Sequence, residues 1–282
     1  MAYIFPEKIF PSALNHYLRC PFKFKCHNDK DIKAVFIETP QSFVGSVIHS
    51  VLNDFFDIKK VPINKRKEED LRSMVRHAWA RMPKDNRSNE YWSAQERREL
   101  FGSLEQERAF GIGAIGMLSN YLRKADLSIV PLSLEDWMEC DINGFKIAGR
   151  IDRIDKDSDS AISIWDYKTG KLPYKSSVEK IIEEDLQIPF YAIIASYLNP
   201  FAEKIRAGLI YLKYSKVYDI VWNKEKIKGL EKKVINVIKE AKSDTALLPK
   251  INRLCSYCEY LDVCPEKDNI PLKNKKVDEV DW

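Results

Sequence analysis

The chain has 282 residues, of which 45% are hydrophobic and 31% charged, and its formal net charge is +4. This length suits one large domain or two small ones, and we interpret residues 1–282 as a single domain. No apolar run reaches membrane-spanning length and the N-terminus lacks a signal-peptide pattern, so we expect a cytoplasmic protein without a membrane partner. The small basic excess permits nucleic-acid binding without requiring it.

The first predicted element is a short amphipathic helix that begins with Ser12 as its N-cap and ends before Pro21. Cys20 therefore stands at a helix C-terminus. Spacing alone leaves two alternatives open: Cys20 is a small buried hydrophobic residue, or Cys26 is the thiol that matters.

Residues 42–57 predict a second helix with an apolar stripe formed by Val44, Ile48, Val51 and Phe55. His49 lies beside this stripe, one turn after Gly45. Glycine leaves open space above the imidazole, so another group could approach it. Taken alone, however, such a histidine is more typical of a packed, hydrogen-bonded side chain.

Residues 60–128 are mostly helical in pattern, and we interpret them as a helical insertion that covers the sheet. One long helix is predicted from about Ser93 to Lys124, with a break near Gly111. The segment 111–116 matches GxGxxG, but a helical pattern precedes it, which excludes a dinucleotide-binding loop. Its glycines instead indicate close helix packing.

A strand is predicted over 133–142, and Asn143-Gly144 predicts a tight turn into a second strand that reaches Asp155. Glu139 on the first of these strands is a candidate outer carboxylate. The following polar segment predicts a further hairpin that folds at Asp157 and Ser158.

The strand after that turn has largely apolar faces, which predicts a central position in the sheet. Asp166 and Lys168 are two residues apart, so a strand directs both side chains to one face. The hairpin brings Asp152 roughly opposite residues 164–166. Two nearby carboxylates repel unless a cation lies between them, and Mg²⁺ is a suitable ion. The alternative is an exposed hairpin whose charges pair across its strands.

Downstream, residues 177–198 predict one or two helices, and strands follow at 205–212 and 217–222 before a Lys-rich helix over 224–242. Gln187 and Tyr191 are four residues apart, so they share a helical face. Their amide and phenol could hold a DNA phosphate or base near the cation, or Tyr191 could be a buried tyrosine with a polar neighbour.

Near the C-terminus, residues 250–266 contain Cys255, Cys258 and Cys264 at x2 and x5 spacing. Clustered thiols in a cytosolic protein indicate metal binding before disulfides. A fourth ligand has to come from elsewhere, and Cys20 is the candidate. Four thiolates suit zinc or an iron–sulfur cluster, and spacing alone favours zinc.

The motifs together resemble the PD-(D/E)XK nuclease superfamily and, within it, the RecB-like group. Asp152 matches the first acid, Asp166 the second acid and Lys168 the lysine, while Ile151 stands where the family name has proline. Two further segments resemble RecB-like elements, namely Gly45–His49 (GxxxH) and Gln187–Tyr191 (QxxxY). The resemblance runs from about residue 12 to residue 264.

This resemblance implies an α/β fold, with a mixed central sheet flanked by helices, a helical insertion and an iron–sulfur staple. Leu14-x-x-Tyr17-x-x-Cys20-Pro21 and the C-x2-C-x5-C segment are similar to those of the AddB C-terminal nuclease domain and the CRISPR-associated RecB-like nucleases. It therefore implies a four-iron, four-sulfur cluster in place of zinc, bound by Cys20, Cys255, Cys258 and Cys264.

The implied activity is Mg²⁺- or Mn²⁺-dependent hydrolysis of DNA by an exonuclease that acts on single strands or ends, in repair, recombination or CRISPR adaptation. The implied roles are metal binding by His49, Asp152 and Asp166, catalysis by the two acids with Lys168, and substrate binding by Gln187 and Tyr191. No Walker A motif is present, so a helicase or integrase would be a separate partner. The alternative is a DNA-binding or assembly subunit with little nuclease activity.

Overall fold

The structure is a computed structural model that describes residues 4–32, 34, 38–84, 90–172, 181–182 and 185–270. Within these ranges, six strands form one mixed sheet: β1 Lys8–Ile9, β2 Ser133–Ile142, β3 Phe145–Ser158, β4 Ala161–Lys168, β5 Lys204–Tyr211 and β6 Lys216–Asn223. β3 pairs antiparallel with β2 and β4 and parallel with β1. β4 pairs parallel with β5, which pairs antiparallel with β6. β4 is therefore central, as its apolar faces predicted.

Both predicted hairpins are present, but the second one turns later than expected. Asn143 and Gly144 have φ angles of 47° and 80°, as a tight two-residue hairpin turn requires. β3 continues to Ser158, and its pairing with β4 shifts register between Lys156 and Ser158. This irregularity uses one extra residue, so the chain turns after Ser158 and not at Asp157 and Ser158.

The α-helices have the bounds α1 Pro11–Arg19, α2 Pro21–Asn28, α3 Pro40–Phe56, α4 Leu71–Ala80, α5 Ala94–Phe101, α6 Leu104–Leu122, α7 Gln187–Leu198 and α8 Lys224–Ser243. α1 begins at Pro11 with Phe10 as its N-cap, two residues before the predicted N-cap Ser12, because proline suits the first position of a helix. α7 is described from Gln187, while residues 177–180 of the predicted helical region lie outside the described residues.

The long helix predicted from Ser93 to Lys124 was placed correctly, but its break was not. α5 ends at Gly102, whose φ of 80° is the left-handed geometry that glycine adopts at helix ends. Ser103 then caps α6 by accepting a hydrogen bond from the Gln106 backbone N–H. Gly111 lies inside α6, where a Cβ would be 4.0 Å from the ring of Trp79. Gly111 therefore does not break the helix, and because a Cβ there would make only an ordinary van der Waals contact, the predicted close packing does not require this glycine.

The sheet separates two hydrophobic cores. On one face, α1, α2, α7 and α8 enclose a core that includes Leu14, Phe24, Phe190, Ile193 and Ile238. On the other face, α3 to α6 enclose a second core that includes Phe43, Phe55, Trp79, Phe101 and Leu118. This arrangement confirms the predicted α/β fold with a mixed central sheet flanked by helices. None of the helices in the described ranges is long and apolar enough to cross a membrane.

Candidate active site

The hairpin of β3 and β4 opens at the point where the predicted acids lie. Its last pair is Arg153 with Trp165, and β4 then continues alongside β5 as far as Lys168. The next residues in register, Asp152 and Asp166, are therefore at the opening between the two strands. Both carboxylates are buried, with 8% and 2% of their surface exposed. Buried carboxylates require partners, and the surrounding elements supply them.

Four side chains form a connected group at the end of β4. Lys168 Nζ lies 2.7 Å from Asp166 Oδ2 and donates a hydrogen bond to Gln187 Oε1 at 3.2 Å. Gln187 Nε2 donates to Asp166 Oδ1 at 2.8 Å and to the Tyr191 hydroxyl at 3.0 Å. The first turns of α7 therefore hold the second acid of the motif. Tyr191 in turn packs against Gly149, where a Cβ would be 2.7 Å from the ring.

Burial raises the pKa of Asp166 to about 6, and the charge of Asp152 adds to this effect while Lys168 opposes it. Burial lowers the pKa of Lys168, but Asp166 and Asp152 outweigh it and raise that pKa above its usual value. Lys168 is therefore an ammonium group at neutral pH. Asp166 Oδ2 has this ion pair but accepts no aligned hydrogen bond from the described residues, so it retains lone pairs for a cation.

A second group lies beside the first. His49 Nδ1 is 3.2 Å from Glu135 Oε1 and 3.5 Å from Asp152 Oδ2. Within the described residues, these three side chains form the group whose potential ligand atoms all lie within 4.8 Å of one another. The backbone of Tyr167 holds two of them, because its N–H donates to Asp152 Oδ2 at 2.8 Å and its carbonyl is 3.1 Å from His49 Nε2.

The donor set of this group fits a hard divalent cation. Burial lowers the pKa of His49, but the hydrogen bonds and charges of Asp152 and Glu135 outweigh it and raise the pKa to about 10. A proton on Nδ1 thus satisfies the two carboxylates, and a cation would replace it there. Nε2–H would still donate to the Tyr167 carbonyl, which fixes the tautomer that a ligating histidine needs. Oxygen-rich sites of this kind suit Mg²⁺ and Mn²⁺.

Glu135 is the residue that the sequence interpretation missed. Glu139, the expected outer carboxylate, instead contacts Lys8 at 2.6 Å and is 44% exposed. It lies four residues farther along β2, about 14 Å away at the usual strand rise. Glu135 lies opposite Asp152, between the pairs Leu134–Arg153 and Asp136–Ile151. It also contacts Arg150 Nε at 3.0 Å, a second residue that was not predicted.

Apart from Glu135, these side chains line one cavity of about 710 Å³ between α1, the opened hairpin and α7. Glu135 lines a neighbouring cavity, together with His49 and Arg150. The first cavity brings together all the predicted catalytic and substrate-binding residues. Its lining includes His49, Trp137, Arg150, Asp152, Asp166, Lys168, Gln187 and Tyr191. The cavity is open to solvent at one side and lined by both charges, which suits a phosphate-bearing substrate that approaches a bound cation.

A separate, small cavity of about 60 Å³ is lined by Cys20, Cys255, Cys258 and Cys264. Cys20 lies between α1 and α2, while Cys255, Cys258 and Cys264 lie in short helical turns near the C-terminus. All six cysteines are free thiols. Cys26 is buried and does not line this cavity, and its burial raises the pKa of its thiol to about 11.

Backbone N–H groups contact two of these thiols. The Lys250 N–H donates to Cys20 Sγ at 3.3 Å and the Asn252 N–H donates to Cys255 Sγ at 3.2 Å, as expected around thiolate ligands. These contacts suit thiolate ligands of either zinc or an iron–sulfur cluster.

Comparison with known proteins agrees with this geometry. The family model of the PD-(D/E)XK nuclease superfamily matches residues 9–265. One subunit of the ATP-dependent helicase/deoxyribonuclease, from two strains of Clostridium perfringens, is 23% identical over 288 and 295 residues, which is 94% of this chain. The chain spans only 24% of the length of these relatives.

Among solved structures, a candidate exonuclease from Eubacterium rectale superposes with a TM-score of 0.53. The match covers 90% of this chain and 88% of the other, at 10% identity, so it bears on the fold alone. The family match covers most of the chain, including both acids and the lysine of the motif. The chain therefore belongs to the PD-(D/E)XK nuclease superfamily, and the RecB-like group fits its motifs.

Proposed function

We propose that the protein is a Mg²⁺- or Mn²⁺-dependent deoxyribonuclease that hydrolyses phosphodiester bonds. The observation that carries this proposal is the convergence of His49, Glu135 and Asp152 within 4.8 Å, since His49 and Asp152 also line the cavity that contains the Asp166–Lys168 pair. Buried acids this close together are unfavourable unless a cation neutralises them. Membership of a nuclease superfamily supports the reaction class.

In this proposal, His49, Glu135 and Asp152 hold the cation together with Asp166 Oδ2, which also pairs with Lys168. A divalent cation in such a site polarises a phosphoryl oxygen and lowers the pKa of a water molecule. Lys168, which is an ammonium group beside Asp166, stabilises negative charge that develops on the phosphate. It is better suited to this role than to that of a base, because the neighbouring acids raise its pKa.

Gln187 and Tyr191 have two functions in this proposal. Gln187 keeps Asp166 directed into the cavity through its hydrogen bond of 2.8 Å. The Tyr191 hydroxyl, held by Gln187, is available to a phosphate or sugar of the bound strand. Replacing Gln187 with Leu should therefore lower the catalytic rate through misplacement of the acid, whereas Tyr191→Phe should mainly raise KM.

The decisive experiment compares DNA degradation by the wild type with that by Asp152→Asn, in Mg²⁺, Mn²⁺ and EDTA. We expect activity to be lost in EDTA and reduced on the order of 100-fold or more in the variant, since a Lewis acid contributes several kcal/mol to such reactions. Asp159→Asn, an exposed carboxylate at the turn of the same hairpin, is the matched control. Equal activity in both variants, or none in the wild type, would favour a DNA-binding or assembly subunit.

We further propose that the substrate is single-stranded DNA or a DNA end, in repair, recombination or CRISPR adaptation. The name of the helicase/deoxyribonuclease subunit supports DNA as the substrate and a helicase as the partner. An integrase is the alternative partner. Product lengths from strands labelled at either end will separate exonucleolytic from internal cleavage and give the polarity.

Finally, we propose that the four cysteines bind a four-iron, four-sulfur cluster that joins the two ends of the fold. Four thiols around one cavity and two N–H···S hydrogen bonds support a metal centre here, and the motif resemblance favours the cluster over zinc. Cys255→Ser should lose iron, visible absorbance and thermal stability, whereas Cys140→Ser on β2 should keep all three. Stoichiometric zinc in a colourless wild-type protein, purified without oxygen, would contradict the proposal.

A further inference from the structure

Trp137 is an unusual side chain on the wall of the active-site cavity. It lies in β2 and has 68% of its surface exposed, whereas large aromatic residues generally bury most of theirs. Exposure of an apolar indole ring to water is unfavourable, and a ligand that covers the ring removes this cost. The cavity that it lines is the one that contains Asp152, Asp166 and Lys168, so any occupant of this surface is also close to the proposed cation.

The indole is braced from one side and flanked by a cation. The ring of Phe10 meets it at a centroid distance of 5.8 Å and an angle of 76°, which is a favourable edge-to-face contact. Arg150 is the direct partner of Trp137 across β2 and β3, so the two side chains lie on one face of the sheet. The Arg150 guanidinium is itself held by Glu135 at 3.0 Å. The aromatic surface is therefore positioned beside a fixed positive charge.

The distance along β2 from Trp137 to the proposed metal site is close to the spacing between successive nucleotides of an extended strand. Trp137 is two residues from Glu135 along β2, which corresponds to about 7 Å. A phosphate bound at the His49, Glu135 and Asp152 group would thus bring an adjacent base over the indole. Arg150, between them, would face the connecting phosphate. Aromatic rings beside basic groups are the usual means of holding unpaired bases without reading their sequence.

We infer that Trp137 is a stacking platform for a nucleobase next to the phosphate that is cleaved, and that it makes the enzyme prefer unpaired DNA. In a duplex, each base already stacks on its neighbours and its faces are covered. A single strand or frayed end offers a free face to the indole. This inference deepens the proposed function and rests on it, since the base is placed relative to the proposed cation.

The experiment compares steady-state cleavage of a single-stranded oligonucleotide by the wild type, Trp137→Ala and Trp137→Phe. We expect KM to rise about 5- to 150-fold in Trp137→Ala, the range for loss of one base–aromatic stack, while kcat at saturation changes less than about twofold. Trp137→Phe should recover most of the loss. Cleavage of a blunt duplex should change less than about twofold. Tyr91→Ala removes another exposed aromatic side chain, outside this cavity, and should match the wild type.

An oligonucleotide with consecutive abasic sites provides a second test. The wild type should bind it as weakly as Trp137→Ala binds the normal strand, because the stacking partner is missing in both cases. Equal KM values for the wild type and Trp137→Ala on the normal strand would overturn the inference and leave the proposed nuclease intact. Absence of all cleavage by the wild type would instead overturn the proposed function. Fluorescence anisotropy of a labelled single strand without added metal would then still decide whether Trp137 binds bases.

Discussion

Arg153 and Asp155 form a buried ion pair beneath the candidate active site, and their substitution tests the energetics of the fold. Both residues are less than 5% exposed, and Arg153 Nε lies 2.7 Å from Asp155 Oδ1. The guanidinium also lies 4.1 Å from the centroid of Phe56 and donates to the hydroxyl groups of Tyr121 and Tyr167 at 3.3 Å. We predict that Arg153→Met strongly destabilises the protein, because it leaves a buried carboxylate without its cation.

The expected loss is about 3–5 kcal/mol for breaking a buried pair by removing one partner. Methionine keeps much of the arginine stem, so little apolar packing is lost, while the cation–π contact with Phe56 contributes a further 0.5–2 kcal/mol or so. Adding Asp155→Asn removes the unpaired charge and keeps an oxygen that can accept the 3.0 Å hydrogen bond from Trp165. The double variant should therefore recover at least about 2 kcal/mol of the loss.

The assay is equilibrium unfolding in urea for the wild type, Arg153→Met and the double variant, with circular dichroism as the signal. Lys156→Met is the control, because it breaks an ion pair at the exposed end of the same strand and should leave the unfolding midpoint unchanged. A double variant no more stable than Arg153→Met would refute the reasoning, since the loss would then not come from the unpaired charge.

Three glycine substitutions test the close contacts described above. In Gly149→Ala, the new Cβ would be 2.7 Å from the Tyr191 ring. We therefore expect a stability loss of about 1–3 kcal/mol and cleavage that is about 10- to 100-fold slower. Unchanged kinetics would contradict the proposed role of α7. In Gly208→Ala, the Cβ would be 2.3 Å from the Tyr218 carbonyl oxygen, so urea unfolding should show a loss of about 1–3 kcal/mol or more. Gly229→Ala, in open space inside α8, should instead raise stability by about 0.5–1 kcal/mol, and a loss there would indicate an unseen contact.

Much of the central sheet was predictable because its signals are local. The Asn143-Gly144 turn, the apolar alternation of the strands and the spacing of Asp166 and Lys168 each act within a few residues. The helix break at Gly102 has a local signal that Gly111 lacks, because Ser103 follows Gly102 and can cap a new helix. Only the first of them has a positive φ and a serine cap immediately after it. The second lies inside α6, where a Cβ would make only an ordinary contact with Trp79.

Contacts between segments that are far apart in the sequence could not be predicted from local patterns. The hydrogen bond from Gln187 to Asp166 depends on how the chain returns to the sheet between β4 and α7. Likewise, Cys20 approaches Cys255 only because α1 and the C-terminal turns pack at the same end of the molecule. Resemblance to a family indicated that Gln187 and Cys20 belong to these sites, whereas the bond from Gln187 to Asp166 was not predicted.

Glu135 was not predicted, although the sequence contains the information that locates it. A two-residue turn at Asn143-Gly144 pairs Ile142 with Phe145, and counting outward along an uninterrupted ladder puts residue 135 opposite residue 152. Glu139 by the same count is opposite Ala148, far from either acid. The count does not give the backbone conformation of Glu135. Its φ of 51° is strained for a strand residue and persists where the surrounding structure enforces it. Its bonds to His49 and Arg150 supply that enforcement, so the strain and the site are one feature of the fold.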